Sequence, residues 1–216
     1  MKRNAEYRVS GKELTKGKIL NIFLVGLIFS IVLSIVTGIG QTFGPAIDRE
    51  TFMVIDPGNP VLNLLFNVLS LLVSGYVTYG FTKMMLGVTK NEEPEIEKVL
   101  TSSVKDQPIK APLLMFITNV FLALWTLLFI IPGLIKSYSY AMTTFLLVNE
   151  PNIQPVDAIT KSRKLMDGKK MQLFLLDLSY FGWYILSLFT LGILSIWVSA
   201  WHQTARTLFF TDAYKQ

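Results

Sequence analysis

The chain contains no cysteine and a single histidine, His202, and so lacks the residues from which several kinds of site are built. Without thiols there is no disulfide, no thiol nucleophile and no thiolate metal ligand. One histidine cannot supply the several nitrogen or sulfur ligands that a zinc site needs. The sequence therefore predicts neither a metal nor another cofactor.

Charged residues are also scarce, at 16% of the chain against roughly 25% in ordinary globular proteins. Long stretches carry no charge at all, namely 19–47, 57–82, 111–135 and 178–205. About 20 apolar residues in a helix suffice to cross the roughly 30 Å hydrocarbon core of a bilayer. With a mean hydropathy of +0.47, the sequence indicates a single membrane domain, 1–216, embedded in the lipid bilayer.

The apolar stretches divide into six predicted spans, and we expect an all-α polytopic membrane protein whose spans form three hairpins. The predicted spans are 19–39, 61–82, 113–131, 134–148, 171–189 and 191–210. Pro132 and Gly133 would turn the second hairpin. A turn near Thr190 is required in the third, because a continuous helix over 171–210 would be about 60 Å long, roughly twice the bilayer thickness.

Lysine and arginine alternate between the two ends of these spans. Six precede the first span, five lie between the second and third, and five lie between the fourth and fifth. Between the first two spans, Arg49 stands among Asp48, Glu50 and Asp56. By the positive-inside rule both termini are cytoplasmic. The same distribution accounts for the net charge of +5, so we predict no nucleic-acid partner.

Three segments on the predicted cytoplasmic side have the pattern of short amphipathic helices, 10–17, 94–104 and 155–167. Ser10 and Glu13 fit a capping box that would open the first of them. Such helices either lie in the membrane interface or dock against the cytoplasmic ends of the bundle. The sequence leaves both possibilities open.

Residues 14–24 resemble residues 165–175. The two segments share a leucine, a glycine, a lysine, a phenylalanine and a second leucine at equivalent positions, the glycines being Gly17 and Gly168 and the lysines Lys18 and Lys169. The glycine would cap a short helix, and the lysine would lie at the head-group boundary. We infer three repeated units, each a short helix followed by a hairpin, of which the middle unit keeps the architecture without the motif.

Polar residues recur every three or four positions along the second span and therefore share one helical face. This polar stripe comprises Asn63, Asn67, Ser70, Ser74, Thr78 and Thr82. Polar faces in membranes turn away from lipid, so we expect the stripe to face the interior. It would serve either hydrogen bonding between packed helices or a hydrated groove between hairpins.

Ionisable residues within the last two spans form a candidate intramembrane ion pair. A turn near Thr190 brings Asp177 and Arg206 to similar depth, with His202 one helical turn from Arg206. Mutual pairing lowers the cost of placing charges in a membrane. The pair would be either a static clamp or part of a proton-linked or solute-linked role.

Lys136, Tyr138 and Tyr140 form a candidate contact for an anion or a lipid head group, near the predicted outer end of the fourth span. A lysine there would extend toward the outer head groups. No phosphate-binding loop, GxSxG or HExxH motif occurs in the sequence. Asp177 is the one carboxylate within a predicted span, so we expect the protein not to be an enzyme.

The second half of the chain resembles the bacterial membrane proteins grouped as domain-of-unknown-function family 975, most clearly over 131–210. The residues that carry the resemblance are the segments 131–136, 178–183, 190–193 and 203–205 together with Tyr138, Tyr140, Met142, Ser162, Met166 and Gly168. The resemblance implies a six-span protein of the bacterial plasma membrane, and it supplies no catalytic residues.

These observations favour a non-enzymatic integral membrane protein of the bacterial plasma membrane. It would bind a partner membrane protein, a peptide or a lipid through its polar interior and its short helices. The alternative is a small transporter or permease subunit with a polar-lined path between the helices.

Overall fold

The computed structural model describes residues 1–48 and 51–216, and within them the chain forms ten helices and one two-stranded ribbon. Arg49 and Glu50 lie outside the described residues. In chain order the elements are α1 (Asn4–Leu14), α2 (Ile19–Thr42), β1 (Ala46–Ile47), β2 (Val54–Asp56), α3 (Pro60–Thr89), α4 (Ile96–Asp106), α5 (Lys110–Leu128), α6 (Ile130–Ser139), α7 (Thr143–Asn149), α8 (Pro155–Leu165), α9 (Lys170–Phe189) and α10 (Ser195–Tyr214).

Four helices are long and apolar enough to cross a membrane, namely α2, α3, α5 and α9. The predicted fourth span, 134–148, is instead divided between α6 and α7, each far shorter than the roughly 20 residues that a crossing needs. The last helix, α10, has 20 residues but falls outside this set because Gln203, Arg206 and Asp212 interrupt its apolar sequence. The structure thus supports a membrane protein with four candidate spans.

A single serine explains the interruption between α6 and α7. Ser162 on α8 is fully buried. Its hydroxyl donates to the carbonyl of Ser139 at 2.8 Å and accepts from the backbone N–H of Met142 at 3.2 Å. These backbone groups flank the break, where an apolar environment would leave them without partners. The hydroxyl of Ser162 therefore provides hydrogen-bond partners for the backbone at this helix break, which the local sequence does not predict.

The helices form three units with the same order of parts. A short helix (α1, α4 or α8) precedes an outgoing helix (α2, α5 or α9), and a returning helix (α3, α6 with α7, or α10) packs against the outgoing one. Each short helix also packs on the returning helix of the preceding unit: α4 on α3, α8 on α7, and α1 on α10. The third contact joins the two ends of the chain, so the units close into a ring.

The returning helices meet inside this ring. The middle one, α3, contacts both α7 and α10. The ring of Phe145 on α7 lies 6.0 Å from those of both Phe210 and Tyr214 on α10. Buried side chains from all three helices, including Tyr79, belong to the same core. The short helices α1 and α8 contribute to it as well, whereas Val99 of α4 belongs to a second buried cluster with residues of α2 and α3.

The repeated glycines occupy equivalent turns. Gly17 and Gly168 have φ of +78° and +69°, a backbone region that favours glycine. Beside them the N–H of Lys18 donates to the carbonyl of Thr15 at 3.0 Å, and the N–H of Lys169 donates to that of Met166 at 3.1 Å. The turn before α5 lacks this glycine. The capping box was placed wrongly, because α1 begins at Asn4 and both Ser10 and Glu13 lie inside it.

One lysine in each unit binds the end of the returning helix. The Lys18 ammonium donates to Asn91 Oδ1 and to the carbonyl of Glu92, both at 3.0 Å, just beyond α3. Lys110 reaches the carbonyl of Pro151 at 3.0 Å, just beyond α7, and Lys169 reaches that of Ala213 on α10 at 3.4 Å. Of these three carbonyls, that of Ala213 lies in the last turn of its helix, where carbonyls lack intrahelical donors and carry partial negative charge. We call these three contacts the lysine clamps.

Packing is dense around the lysine clamps and sparse at the opposite end of α2 and α3. The first buried residue in α3 is Gly75, and Leu64 is 63% exposed. The outer halves of these two helices pack on each other through Gly40, which abuts Phe66. The ribbon of β1 and β2 joins their ends. We call residues 30–48 and 51–74 the outer hairpin, and most of these residues are exposed.

Replacement of Lys18 tests the clamps. Lys18 is 5% exposed, so Lys18→Met should remove a charged donor from Asn91 Oδ1 and from the carbonyl of Glu92. We expect the free energy of unfolding to fall by about 1.5–3 kcal/mol, measured by denaturant unfolding in detergent micelles. The exposed Lys16 provides the matched variant, Lys16→Met, which should change stability by less than about 0.5 kcal/mol. Equal stabilities of the two variants would contradict a structural role for the clamp.

Candidate functional site

A cluster of ionisable side chains joins α9 to α10. Asp177 Oδ1 lies 2.7 Å from His202 Nε2 and 3.6 Å from Arg206 Nε. The side chains of His202 and Asp177 are 13% and 18% exposed, respectively. The structure therefore brings together the three residues that the sequence suggested, but the shortest contact of Asp177 is with His202. The four-residue spacing of His202 and Arg206 puts both on one face of α10.

Tyrosines enclose the imidazole. The Tyr184 hydroxyl lies 3.2 Å from His202 Nδ1, and the Tyr180 ring stacks on the imidazole with centroids 4.7 Å apart. Because a carboxylate can only accept, Nε2 of His202 is the donor to Asp177. In a neutral imidazole, Nδ1 is then the acceptor for the Tyr184 hydroxyl. Carboxylate, imidazole and phenol thus form one continuous hydrogen-bonded chain.

A serine one turn from the cluster is hydrogen-bonded within its own helix rather than to His202. Ser199 lies one turn from His202, but its hydroxyl donates to the carbonyl of Ile196 at 3.2 Å. Among residues 1–48 and 51–216, no group of three or more histidine, cysteine or acidic side chains is placed to hold a metal ion. What this geometry can do is hold α9 and α10 together and carry a proton along the chain from Asp177 to Tyr184.

Helix α1 covers this part of the bundle. Gly11 lies against α10 so closely that a Cβ there would stand 2.9 Å from the carbonyl of Trp201. The ammonium of Lys12 lies 5.2 Å from the ring of Trp183 and 4.7 Å from that of Trp201, within range of cation–π attraction. The sequence did not connect α1 with the cluster, since no local pattern relates the two ends of the chain.

Tyr7 fixes the start of α1. Its side chain is fully buried and donates a hydrogen bond to Asp212 Oδ2 at 2.9 Å. Burial, helped by the hydrogen bond to Asp212, raises the pKa of Tyr7 well above its ordinary value, so the phenol remains a neutral donor. This contact fastens the chain's first helix to its last.

Lys136, Tyr138 and Tyr140 do not share one site. The Lys136 ammonium lies over the Trp125 ring, 4.3 Å from its centroid, and Lys136 lines a groove with residues of α8 and α9. Tyr138 packs edge-on against Phe174. Tyr140 is buried and packs against Phe121. The placement of Lys136 differs from the sequence expectation, because the break after α6 brings it close to lysines of the predicted cytoplasmic segment rather than to outer head groups.

The polar stripe is not enclosed as the sequence suggested. Asn63 donates to the carbonyl of Gly40 on α2 at 3.0 Å. Elsewhere along the stripe, Asn67, Ser70, Ser74 and Thr82 donate to carbonyls of α3 itself. Asn67 is exposed and the residues beside it are at most half-buried. The helical period correctly put these residues on one face, but on its outer half α2 contacts Asn63 and leaves Asn67 exposed.

The segment that contains the ionisable cluster is similar to a known protein family. Residues 130–216 match the model of a family described as "Protein of unknown function (DUF975)". The matched DUF975 segment begins with α6 and includes Asp177, His202, Arg206 and Lys136. The resemblance inferred from the sequence is confirmed over this segment. No match was found among curated proteins or among solved structures.

Exchange of the two charges tests the cluster in the DUF975 segment. Asp177→Arg and Arg206→Asp should each lower the free energy of unfolding by about 1–3 kcal/mol, since each leaves like charges together. The double exchange should recover part of the loss in the same unfolding measurement. Recovery should be incomplete, because an arginine at position 177 would face His202. If the double variant is no more stable to unfolding than the less stable of the two single variants, Asp177 and Arg206 are not coupled.

Proposed function

We propose that this chain is a non-enzymatic integral membrane protein that binds another membrane protein through its outer hairpin. The proposed location is the bacterial plasma membrane, with both termini cytoplasmic. The proposal rests on one observation. The outer hairpin, which consists largely of the candidate membrane spans α2 and α3, exposes polar side chains. Within membranes, polar residues gather where helices meet protein partners rather than lipid.

The polar surface belongs to both arms of the outer hairpin. On α2, Ser30, Ser34 and Thr37 are exposed. The hydroxyls of Ser30 and Thr37 donate to carbonyls of α2 itself, at 2.8 and 2.7 Å. Hydroxyls that donate within their own helix still offer lone pairs to a neighbouring helix. A helix that packs here would find several acceptors along its length.

Asn67 presents an exposed amide on the α3 arm of this surface. Its amide nitrogen donates to the carbonyl of Asn63 at 2.8 Å and to Asn63 Oδ1 at 3.0 Å. Within the described residues its own amide oxygen accepts no hydrogen bond. An unpaired amide oxygen is costly in hydrocarbon, and a donor from a partner helix would remove that cost. This requirement favours a protein partner over acyl chains.

The alternative, a transporter with a polar path, has less support. Such a path requires polar groups facing a connected interior, whereas the outer half of the polar stripe lies on an exposed face. Where the returning helices α3, α7 and α10 meet, large side chains such as Phe145, Phe209 and Tyr79 are buried together.

A photo-reactive residue at Leu64, one turn from Asn67 on the exposed side of α3, tests the proposal in native membranes. We expect an adduct with one other membrane protein. Asn67→Leu should reduce this adduct about threefold, the effect of losing one interhelical hydrogen bond of about 0.6 kcal/mol.

Asn119→Leu is the matched control. Asn119 on α5 is also exposed and also donates to its own helix, at 2.8 Å to the carbonyl of Met115. It should leave the adduct unchanged. Cross-linking to lipid alone, or equal loss in both variants, would contradict the proposal. An adduct with a second copy of this chain would show self-association in its place.

A further inference from the structure

Four cationic side chains from three separate helices converge on one groove. Lys136 of α6, Arg163 and Lys164 of α8 and Lys170 of α9 line a cavity of about 330 Å³. Thr160 adds a hydroxyl and Asp167 adds a carboxylate. Ligand cavities in proteins begin at about this volume, so the groove has room for a small anionic group.

The cations in this groove outnumber the acids. Asp167 lies 3.8 Å from Lys170 and is itself largely exposed. Within the described residues, Lys136, Arg163 and Lys164 make no ion pair. Lys136 lines the groove together with Arg163 and Lys170. Like charges that outnumber the acids near them are stabilised when an anion binds between them.

Orientation in the membrane does not explain why four cationic side chains line one groove. The positive-inside rule needs cationic residues on one side of the membrane, but it does not need them to face each other. Lys136 belongs to a stretch that is otherwise uncharged, yet it lines the same groove as the cations of α8 and α9. Arg163 and Lys164 also neutralise the partial negative charge at the C-terminal end of α8. That effect does not explain why Lys136 and Lys170 line the same groove.

The surroundings of the groove suit a lipid. Ile135, adjacent to Lys136, is 50% exposed, and Met171, adjacent to Lys170, is 65% exposed. Exposed apolar residues therefore stand next in sequence to two of the lysines that line the groove, on helices whose surfaces acyl chains can contact. Arginine and lysine both bind phosphate oxygens, arginine often through two parallel hydrogen bonds.

We propose that the groove between α6, α8 and α9 binds the phosphate of an anionic phospholipid. The bound group would be a phosphate ester. The exposed apolar residues Ile135 and Met171, next in sequence to Lys136 and Lys170, favour a lipid over free phosphate. This inference is independent of the protein partner proposed for the outer hairpin.

The test uses the full chain purified in phosphatidylcholine–detergent micelles, with phosphatidylglycerol as the added probe and native mass spectrometry as the readout. We expect one phosphatidylglycerol molecule to bind per chain. Lys136→Gln with Arg163→Gln should weaken this binding at least about tenfold, since each cation near a membrane surface contributes appreciably to anionic-lipid affinity. Lys136→Arg with Arg163→Lys keeps both charges and should retain binding.

The matched control is Lys90→Gln with Lys105→Gln, which removes two exposed lysines outside the groove. It should alter the affinity less than about twofold, because screening limits distant charges. Equal loss in the control and groove variants would overturn the proposal and indicate general charge attraction. Loss in the charge-retaining variant as well would overturn it by tracing the effect to folding.

Inorganic phosphate, added in excess at matched ionic strength, separates the two sources of phosphate. We expect it not to displace phosphatidylglycerol. Stabilisation of the wild-type chain by inorganic phosphate, without binding of phosphatidylglycerol, would show a site for free phosphate and would overturn the lipid assignment.

Discussion

The arrangement of the helices depends on a lysine ammonium bound to backbone carbonyls at a helix end, repeated three times. The carbonyl of Ala213 lies in the last turn of α10, where carbonyls have no donors within the helix, whereas those of Glu92 and Pro151 lie just beyond α3 and α7. Lys18, Lys110 and Lys169 each provide a charged donor at the start of an outgoing helix. Each thereby fixes where the two long arms of its unit come together.

The short helices then connect the units. Each packs on the returning helix of the unit before it, and α1 completes the ring by packing on α10. The ionisable cluster of Asp177 and His202 lies between α9 and α10, and α1 covers the neighbouring Trp183 and Trp201. The DUF975 segment therefore contains the cluster, while the helix that covers this region comes from the opposite end of the chain.

Much of this arrangement could be predicted from local sequence, because it depends on local chemistry. Uncharged stretches indicated the long helices, and the repeated glycine and lysine indicated equivalent turns before α2 and α9. The proximity of Asp177 and Arg206 followed from the position of one turn. The family resemblance rested on residues of the same segment and is confirmed there.

The remainder depended on contacts between distant residues. Backbone groups at the break between α6 and α7 are hydrogen-bonded by Ser162, 20 residues beyond Met142. No periodicity in the sequence predicts this break. That break moved Lys136 into the basic groove. The helical period put Asn67 on one face of α3, but a period cannot say which neighbour covers a face. Likewise, α1 begins earlier than its capping pattern suggested because Tyr7 is fastened to Asp212.

Closure of the ring is tested most directly by joining its two ends in membranes. Asn4 Nδ2 donates to the carbonyl of Gln172 at 3.1 Å, and Gln172 Nε2 donates to that of Lys2 at 2.8 Å. Since the chain has no native cysteine, Asn4→Cys with Gln172→Cys should form an intramolecular disulfide on mild oxidation, and Asn4→Cys with Asn119→Cys should not. Failure of the first pair to cross-link within one chain, or equal cross-linking of both pairs, would contradict the ring.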